Sequence, residues 1–533
     1  MAPSKIIPNY LLATVLTSTG ALLNGYDTGS IGPSLSMPQF TSSLGPLSPS
    51  LLGFTVSLIL LTGTLPSFFA GYLADRFGRL PTISAGLFTF FVGCILECSS
   101  DSLPQFLLGR ALAGLGEGIY LSNIWVYACE IAPVTKRGVM SGIPQFFVAF
   151  GICCGYFTCY ATVQAMPEGS WAWRTPFLIQ GLLGMVGALA CLCLPDSPRW
   201  YVLRGQRGKA VNALEWLGLP AGETDFMNVG VNGTSEGAHQ PSLGYLQSTL
   251  LLFRRGYRAR TFLALFVLGL IQLSGIDGVL YYAPILFHQA GLSSSTSSFL
   301  ASGVSAILML AITIPAFLFA DKWGRRTSAI TGGIGLSGCM FLIGSLYAAG
   351  VVHPYGIARW VVIVCVFVFG LTYCATWAIM GKIYASEIHQ PHTRAAANCV
   401  AQGLGFFTNW LVAMLTPILL DKSAFGAYFL FGGIALFSVP VLTFYMPETR
   451  GRSLESIQEA FHRPTINLGN IPSRVGSLIH RRRGGAATRQ NLPPSANRDE
   501  IEMTRQHGQV ERTTTTTTSS VAPPALRLGI TTV

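Results

Sequence analysis

Twelve long apolar runs constrain the possible fold of this chain more than any other feature of its sequence. An α-helix needs about 20 mostly apolar residues to cross the hydrocarbon core of a bilayer. Runs of about this length fall near 10–33, 51–73, 81–98, 104–127, 139–161, 174–194, 261–290, 297–320, 328–350, 357–385, 395–420 and 426–446. Only 11% of the residues are charged, against roughly 25% in soluble proteins. The pattern predicts an all-α membrane protein with twelve transmembrane helices in two pseudo-symmetric six-helix halves.

Lysine and arginine mark one side of this predicted bundle. The connections after runs 2, 4, 6, 8 and 10 carry them, whereas the intervening connections are nearly free of both. Because short cytoplasmic loops are enriched in Lys and Arg, we expect both termini in the cytoplasm. We also expect the protein at the plasma membrane. The predicted order is a cytoplasmic N-terminus (1–9), an N-terminal half (10–194), a cytoplasmic linker (195–260), a C-terminal half (261–446) and a largely disordered cytoplasmic tail (447–533).

The same sequence argues against several functional classes. The net charge of +11 is assigned to the cytoplasmic loops, so no nucleic-acid partner is expected. The 12 cysteines lack the paired spacing of a zinc site or a disulfide framework. The chain has no G-x-x-x-x-G-K-S/T loop and no nucleophile–base–orienter set, which argues against an ATP-driven pump and against an enzyme. We therefore expect no catalytic residue, metal or cofactor, and a monomer whose partners are the bilayer and a small molecule.

One of the apolar runs contains polar residues that are unfavourable in the hydrocarbon core of a bilayer. Residues 269–283 read GLIQLSGIDGVLYYA, with Gln272, Asp277 and the pair Tyr281–Tyr282 between three glycines. An acid within a membrane span is rare unless it faces a bundle interior or a water-filled cavity. Glycines in the middle of a span are typical of a broken helix that lines a binding site. We expect this stretch to face a solute.

Three motif pairs recur in the same order in the two halves. In the first half they are Asp75 with Arg79, Glu130 with Arg137, and PDSPR at 195–199; in the second half they are Asp321 with Arg325, Glu387 with Arg394, and PETRG at 447–451. Such repeats are typical of transporters whose halves rock about a central site. Ion pairs among these residues can latch a cytoplasmic gate; helix capping and topology signalling are the alternative.

Several motifs together carry a family resemblance. They are GYDTG at 25–29, GYLADRFGR at 71–79, Arg110, Glu130…Pro133…Arg137-Gly138, Gln145, WRTPF at 173–177 with Gln180, PDSPRW at 195–200, QLSGID…YY in run 7 and PETRG at 447–451. In this combination, residues 10–451 resemble the sugar porters of the major facilitator superfamily. The style of the loops suggests a fungal member. The resemblance implies a carrier that works by alternating access.

The resemblance also implies a proton-coupling pair. In proton-coupled sugar porters, the residues that match Asp27 and Arg110 sense the proton, so the expected partners include protons as well as a small-molecule substrate. The family also contains facilitators that keep the aspartate, so facilitated transport stays open. Glu117 lies two helical turns after Arg110, where the family usually has an apolar residue. It either joins this pair or, as we expect, lies near the outer interface without a role.

The expected substrate contacts partly match the family. Amides bond vicinal hydroxyls and aromatic rings cover the apolar face of a sugar. Matching positions hold Gln145, Gln272, Asn409 and the pair Tyr281–Tyr282. The resemblance places these side chains around the solute.

Other substrate positions depart from the family pattern. An amide is replaced by Ile271, Asp277 stands at an asparagine position, Met309 replaces another asparagine, Lys382 replaces a tryptophan, and Phe406 falls on the tryptophan of an Asn-Trp pair. Lys382 and Asp277 can neutralise each other, or one can meet a charged substrate. Alternatively, Lys382 reaches the cytoplasm along its own stem.

We therefore predict a secondary active transporter of a small hydroxylated solute, namely a sugar, a polyol or a sugar-acid-like molecule, moved by proton symport. An exporter of a fungal secondary metabolite is one alternative. A transport-deficient nutrient sensor is another.

Overall fold

The computed structural model describes residues 8–133, 136–219, 245–254, 257–292, 295–319, 323–353, 356–389 and 394–449. Within these ranges the chain forms twenty α-helices and no β-strand. The N-terminal helices are α1 (Asn9–Thr17), α2 (Thr19–Leu35), α3 (Pro38–Leu44), α4 (Pro49–Phe77), α5 (Arg79–Cys98), α6 (Leu103–Ile131), α7 (Arg137–Ala165) and α8 (Trp171–Leu192). The predicted linker contributes α9 (Pro198–Leu203), α10 (Arg207–Leu217) and α11 (Tyr245–Leu252).

The C-terminal helices follow in the same order as the predicted runs. They are α12 (Arg258–Leu273), α13 (Ile276–Tyr281), α14 (Ala283–Gln289), α15 (Ser295–Leu318), α16 (Arg325–Ala348), α17 (Ile357–Ala375), α18 (Trp377–Glu387), α19 (Arg394–Lys422) and α20 (Gly426–Tyr445). Most of the predicted tail, from residue 450 onward, lies outside the described residues.

Ten of these segments are long and apolar enough to cross a membrane by length and composition. They are α4, α5, α7, α8, α12–α13, α15, α16, α17–α18, α19 and α20. The other two predicted spans are α1–α2, which contains Asp27, and α6, which is 29 residues long and contains Arg110 and Glu117. The first of these spans is divided at Ser18 into two shorter helices of 9 and 17 residues.

Several spans are interrupted near their middle. The seventh span breaks at Gly275, whose φ of 86° is in the left-handed region that favours glycine. A Cβ at this position would lie 2.7 Å from the ring of Phe431, so a larger residue would also clash. The break predicted for residues 269–283 is therefore observed. The tenth span is interrupted at Thr376, between α17 and α18.

Small residues let the N-terminal helices approach closely. Gly93 of α5 faces Gly109 of α6, and a Cβ on Gly93 would lie 2.7 Å from the Gly109 carbonyl oxygen. Gly25 and Gly29 of α2 make similar backbone contacts with α7. Helices in membranes associate through such small residues, because lipid offers no hydrophobic drive between apolar surfaces. The polar side chains of α2, α5 and α6 are thereby held close together.

Candidate functional site

A polar cavity lies between the N-terminal and C-terminal helices. Its empty volume is about 1050 Å³, part of which is open to solvent. The polar side chains that line it come from six helices and are Asn24, Thr28, Gln145, Gln272, Asp277, Tyr373, Gln402 and Asn409. Small-molecule sites have volumes of about 300–1,000 Å³ and a few convergent polar groups. The cavity therefore has the size and chemistry of a site for a small polar solute.

Five of the predicted substrate residues line this cavity, namely Gln145, Gln272, Asp277, Phe406 and Asn409. The side-chain oxygens of Gln272 and Asn409 are buried and accept no hydrogen bond from the described part of the chain. A buried acceptor without a donor is costly, by about 1–3 kcal/mol. A hydroxylated ligand would supply the missing donors.

Tyr281 and Tyr282 lie beside the cavity but do not line it. The Tyr282 hydroxyl donates to the carbonyl of Ala413 at 2.8 Å. Tyr281 is buried, and its carbonyl is so close to Gly32 of α2 that no Cβ would fit there. In this structure Tyr281 therefore packs against α2 of the N-terminal half, whereas Tyr282 is bonded to α19 of the C-terminal half. Their predicted contact with a solute stays a prediction.

Position 382 lies one helical turn after Ala378, which lines the cavity. Both belong to α18, and residues four apart share a helix face. The side chain of Lys382 is outside the described part of the structure. Among the described side chains of the lining, Asp277 is the only charged one.

The predicted coupling pair is in direct contact behind the cavity. Arg110 Nη1 lies 2.6 Å from Asp27 Oδ1, and the two side chains are 0% and 3% exposed. Arg110 Nη2 also donates to the Val56 carbonyl at 3.0 Å. Asp27 lies between Asn24 and Thr28 on α2, and both of these line the cavity. The ion pair is therefore buried one layer behind the solute space.

Glu117 is not at the interface position that we expected. Its side chain is 1% exposed, and Asn24 Nδ2 donates to Glu117 Oε1 at 2.5 Å. Asn24 itself lines the cavity. The expectation failed because the packing of α6 against its neighbours, which the sequence does not specify, turns this face of α6 inward.

Glu97, in the last turn of α5, is a buried acid that was not among the predicted site residues. Its side chain is 0% exposed, and its Oε1 lies 3.9 Å from Arg110 Nη1. A signal was present, because an acid inside an apolar run is unusual. However, Glu97 lies one residue before the end of its apolar run, where a residue at the membrane interface is expected. Its burial could therefore not be predicted from the run alone.

Three of the four predicted gate residues of the first half form one network. Arg79 Nη1 lies 2.7 Å from Asp75, and Arg79 Nη2 lies 3.2 Å from Glu130. These ion pairs join α4, α5 and α6 within the N-terminal helices. Asp321, and the side chains of Arg137, Glu387 and Arg394, lie outside the described part, so the second set stays a prediction.

Two acids of the closing motifs repeat one contact in the two halves. Asp196 Oδ1 accepts from the backbone N–H of Arg79 at 3.1 Å, at the start of α5. Glu448 accepts from the backbone N–H groups of Arg325 at 2.8 Å and Arg326 at 3.1 Å, at the start of α16. Acids stabilise helix N-termini, where N–H groups lack partners. Burial raises the pKa of Asp196 to about 6.

Comparisons with known proteins agree with this architecture. The family profile described as Sugar (and other) transporter matches residues 12–461. Sugar transport protein MST7 of Oryza sativa subsp. japonica is 28% identical over 486 residues, which are 85% of this chain and 92% of that protein. The Probable quinate permease of Aspergillus niger is 28% identical over 501 residues, which are 88% and 90% of the two chains.

A solved structure shares the fold. The proton:xylose symporter XylE of E. coli, bound to 6-bromo-6-deoxy-D-glucose, superposes with a TM-score of 0.70 at 22% identity, covering 85% of this chain and 99% of that one. At this identity the likeness shows the fold alone. The family match spans most of the chain and all of the described cavity lining. The chain therefore belongs to the Sugar (and other) transporter family, and it is a membrane transporter with the twelve-helix fold of the major facilitator superfamily.

Proposed function

We propose that the protein is a secondary active transporter that carries a small hydroxylated solute into the cytoplasm together with protons. The observation that carries this proposal is the position of the Asp27–Arg110 pair. Asp27 lies on α2 between two residues, Asn24 and Thr28, that line the amide-rich cavity, and Arg110 reaches it from α6. Solute and proton sites that share one helix can influence each other's occupancy.

The lining supports a solute with several hydroxyl groups. Five amides face the cavity, and two of them, Gln272 and Asn409, have acceptor oxygens without a described donor. A hydroxyl can donate to such an oxygen and accept from the same amide's NH₂ group. The names of the relatives point to the same class, since one is a sugar transport protein and another a quinate permease. We therefore propose a sugar, a polyol or a sugar acid.

Proton coupling follows from the chemistry of the buried pair. When Asp27 takes up a proton it loses its charge, and its attraction to Arg110 falls. The guanidinium is then free to change partner, and the helices that it joins can move. Substrate that binds beside α2 favours one arrangement over the other, which is the differential contact that any coupled conformational change requires.

The side of the membrane on which the termini lie is proposed from charge, and the inward direction of transport from the resemblance to the sugar porters. Lys and Arg are concentrated in the connections after every second span, which predicts cytoplasmic termini. A proton gradient across the plasma membrane would then drive the solute inward. Position 382, one turn from the cavity lining, is the position at which we expect the choice between neutral and anionic solutes to be made.

Uptake by cells that lack their own sugar carriers tests the proposal. Labelled hexoses, pentoses, polyols and sugar acids are offered at about pH 5 and about pH 7.5. We expect uptake of one of these classes, faster at the lower pH, and loss of this pH effect in Asp27→Asn. Uptake that is independent of pH and unchanged in Asp27→Asn would indicate facilitated transport without protons. No uptake, with the protein at the plasma membrane, would favour an exporter or a sensor.

In the same assay, Lys382→Trp tests whether the substrate is neutral or anionic. If Lys382 meets an anionic solute, the variant loses uptake of sugar acids and keeps uptake of neutral sugars. An unchanged preference between neutral and anionic solutes would remove Lys382 from the selectivity site. Arg359→Trp, at the start of α17, is a control for the loss of a basic residue outside the cavity lining.

A further inference from the structure

Glu97 is a buried acid that has no role in the proton coupling proposed for Asp27 and Arg110. It is 0% exposed, and neither of its carboxylate oxygens has a hydrogen-bond partner among the described residues. Its nearest cation is Arg110, with 3.9 Å between Glu97 Oε1 and Arg110 Nη1. The same Arg110 nitrogen is 2.6 Å from Asp27 Oδ1. One guanidinium nitrogen therefore lies between two carboxylates, in contact with one and 3.9 Å from the other.

Glycine packing fixes this arrangement. A Cβ on Gly109 would lie 2.7 Å from Glu97 Cγ and 2.8 Å from the Glu97 backbone nitrogen. The last turn of α5 thus rests directly on α6, one residue before Arg110. Because a side chain at position 109 would push the two helices apart, this contact is what brings the Glu97 carboxyl within reach of the guanidinium.

Charge balance limits which groups can be ionised together. An unpaired charge in a membrane interior costs several kcal/mol. Arg110 is the one described cation of the cluster, and the titratable groups around Glu97 and Arg110 are Asp27 on α2, Cys94 and Cys98 on α5, Glu117 on α6 and Tyr281 on α13. If Asp27 and Glu97 were both ionised, one carboxylate would have no cation. If both were protonated, Arg110 would have no anion.

We propose that Asp27 and Glu97 share one proton across Arg110. In the arrangement of this structure, Asp27 is ionised and holds Arg110, and Glu97 carries the proton. In the other arrangement, Arg110 moves to Glu97, the proton leaves the Glu97 carboxyl, and one proton is bound by Asp27. The trio has zero net charge in both arrangements. Glu97 is thus a second proton-binding residue and the alternate counter-ion of Arg110.

This inference rests on the proposed proton coupling, because it supplies the partner that Arg110 needs when Asp27 is protonated. Without Glu97, protonation of Asp27 would leave a buried guanidinium with no carboxylate in contact. Glu117 does not offer the same alternative, since its Oε1 is bonded to Asn24.

Infrared difference spectroscopy tests the proposal without any solute. The full-length protein is reconstituted in liposomes at neutral pH, and the band of protonated carboxyl groups is recorded. Subtracting the spectrum of Glu97→Gln from that of the parent isolates the Glu97 contribution, first in the native background and then in Asp27→Asn. We expect a protonated Glu97 band in the native background and its loss in Asp27→Asn, where Glu97 must be ionised to hold Arg110.

Glu117→Gln is the matched control, because it removes another buried carboxyl from the same cluster. Its difference band should be the same in both backgrounds. A Glu97 band that is equal in the two backgrounds, or absent from the native one, would overturn the proposal. So would a Glu117 band that responds to Asp27→Asn as strongly as that of Glu97. If Glu97→Gln does not fold, Glu97→Asp gives the same assignment, because it shifts the band instead of removing it.

The outcomes also separate the two proposals. Uptake without pH dependence removes proton symport, whatever the spectra show. Proton-driven uptake together with an unresponsive Glu97 band leaves symport standing and removes only the shared proton.

Discussion

The two halves of the bundle use their polar residues differently. The N-terminal half buries Asp27, Glu97, Arg110 and Glu117 behind the cavity wall, where each side chain is at most 3% exposed. The C-terminal half places three amides, a tyrosine and one carboxylate on the wall itself, and the N-terminal half adds Asn24, Thr28 and Gln145. The buried ion cluster therefore belongs to one half, whereas the polar wall of the cavity is shared by both.

This division shows where coupling has to occur. Helix α2 belongs to both regions, because Asn24 and Thr28 face the cavity while Asp27 faces Arg110. Asn24 also donates to Glu117. A solute that bonds to Asn24 or Thr28 therefore contacts the same face of α2 that carries Asp27. Substitutions in one region should leave the function of the other intact.

Removing the buried cation should have the largest effect. In Arg110→Met, the Asp27 carboxylate loses its partner in a site from which water is excluded. Breaking such a pair typically costs about 3–5 kcal/mol. We expect a clearly lower melting temperature in lipid or detergent and no proton-driven uptake. Arg76→Met, on an exposed position of α4, is the control and should have the melting temperature of the parent protein. An unchanged melting temperature in Arg110→Met would contradict a stabilising role of the buried ion pair.

Removing the Asp27 carboxyl should uncouple transport without unfolding the protein. Asp27→Asn resembles the protonated aspartate, so the variant can still exchange labelled for unlabelled solute across a membrane. Accumulation against a gradient should fall at least about tenfold, since no proton is bound and released at this site. Both activities are measured in the same liposomes. Asp101 is 86% exposed, and Asp101→Asn should change neither solute exchange nor accumulation. Accumulation that persists in Asp27→Asn would show that the Asp27 carboxyl is not needed for proton coupling.

Removing an amide from the cavity should affect the solute and leave the proton response intact. Asn409→Leu deletes an acceptor that has no described protein donor. The loss of one such hydrogen bond is worth about 1–2 kcal/mol, or roughly a tenfold rise in KM. The pH profile should keep its midpoint. Gln105→Leu, outside the cavity lining, serves as the control, and a shifted pH midpoint in Asn409→Leu would argue against two separate regions.

The smallest expected effect concerns Asp196, outside the membrane spans. Its pKa rises from 3.8 to about 6 on folding because the carboxyl is buried. The folded state thus binds more protons than the unfolded state between about pH 4 and pH 6, and this group's contribution to stability falls as pH rises through that window. Asp196→Asn should flatten the pH dependence of the melting temperature there. An equally steep dependence in the variant would remove Asp196 as its source.

The sequence was sufficient for the architecture because hydrocarbon leaves few choices. Apolar runs of the right length must become helices, and their number and charged connections follow directly. The pairing of Asp27 with Arg110 was expected from the resemblance to the sugar porters, and the two side chains are in contact. Three glycines in a run with polar residues predicted a break in the seventh span, and the structure places that break at Gly275.

The rest of the site depends on helix rotation and depth. Glu117 was expected at an interface, but its direction is set by how α6 packs on its neighbours through glycines, which no single run specifies. Glu97 was hidden by its place at the end of a run, where only the contact between Gly109 and α5 reveals that it is enclosed. The tyrosine pair was expected around the solute, yet the break at Gly275 directs it toward α2 and α19 in this structure.

Proton flux driven by the solute tests the central claim most directly. The protein is reconstituted in liposomes that contain a trapped pH indicator, and the solute identified by the uptake panel is added outside without a proton gradient. We expect protons to enter together with the solute. Asp27→Asn should abolish this proton entry, and Asn409→Leu should retain it at a higher solute concentration. Solute entry without proton entry in the parent protein would contradict proton symport.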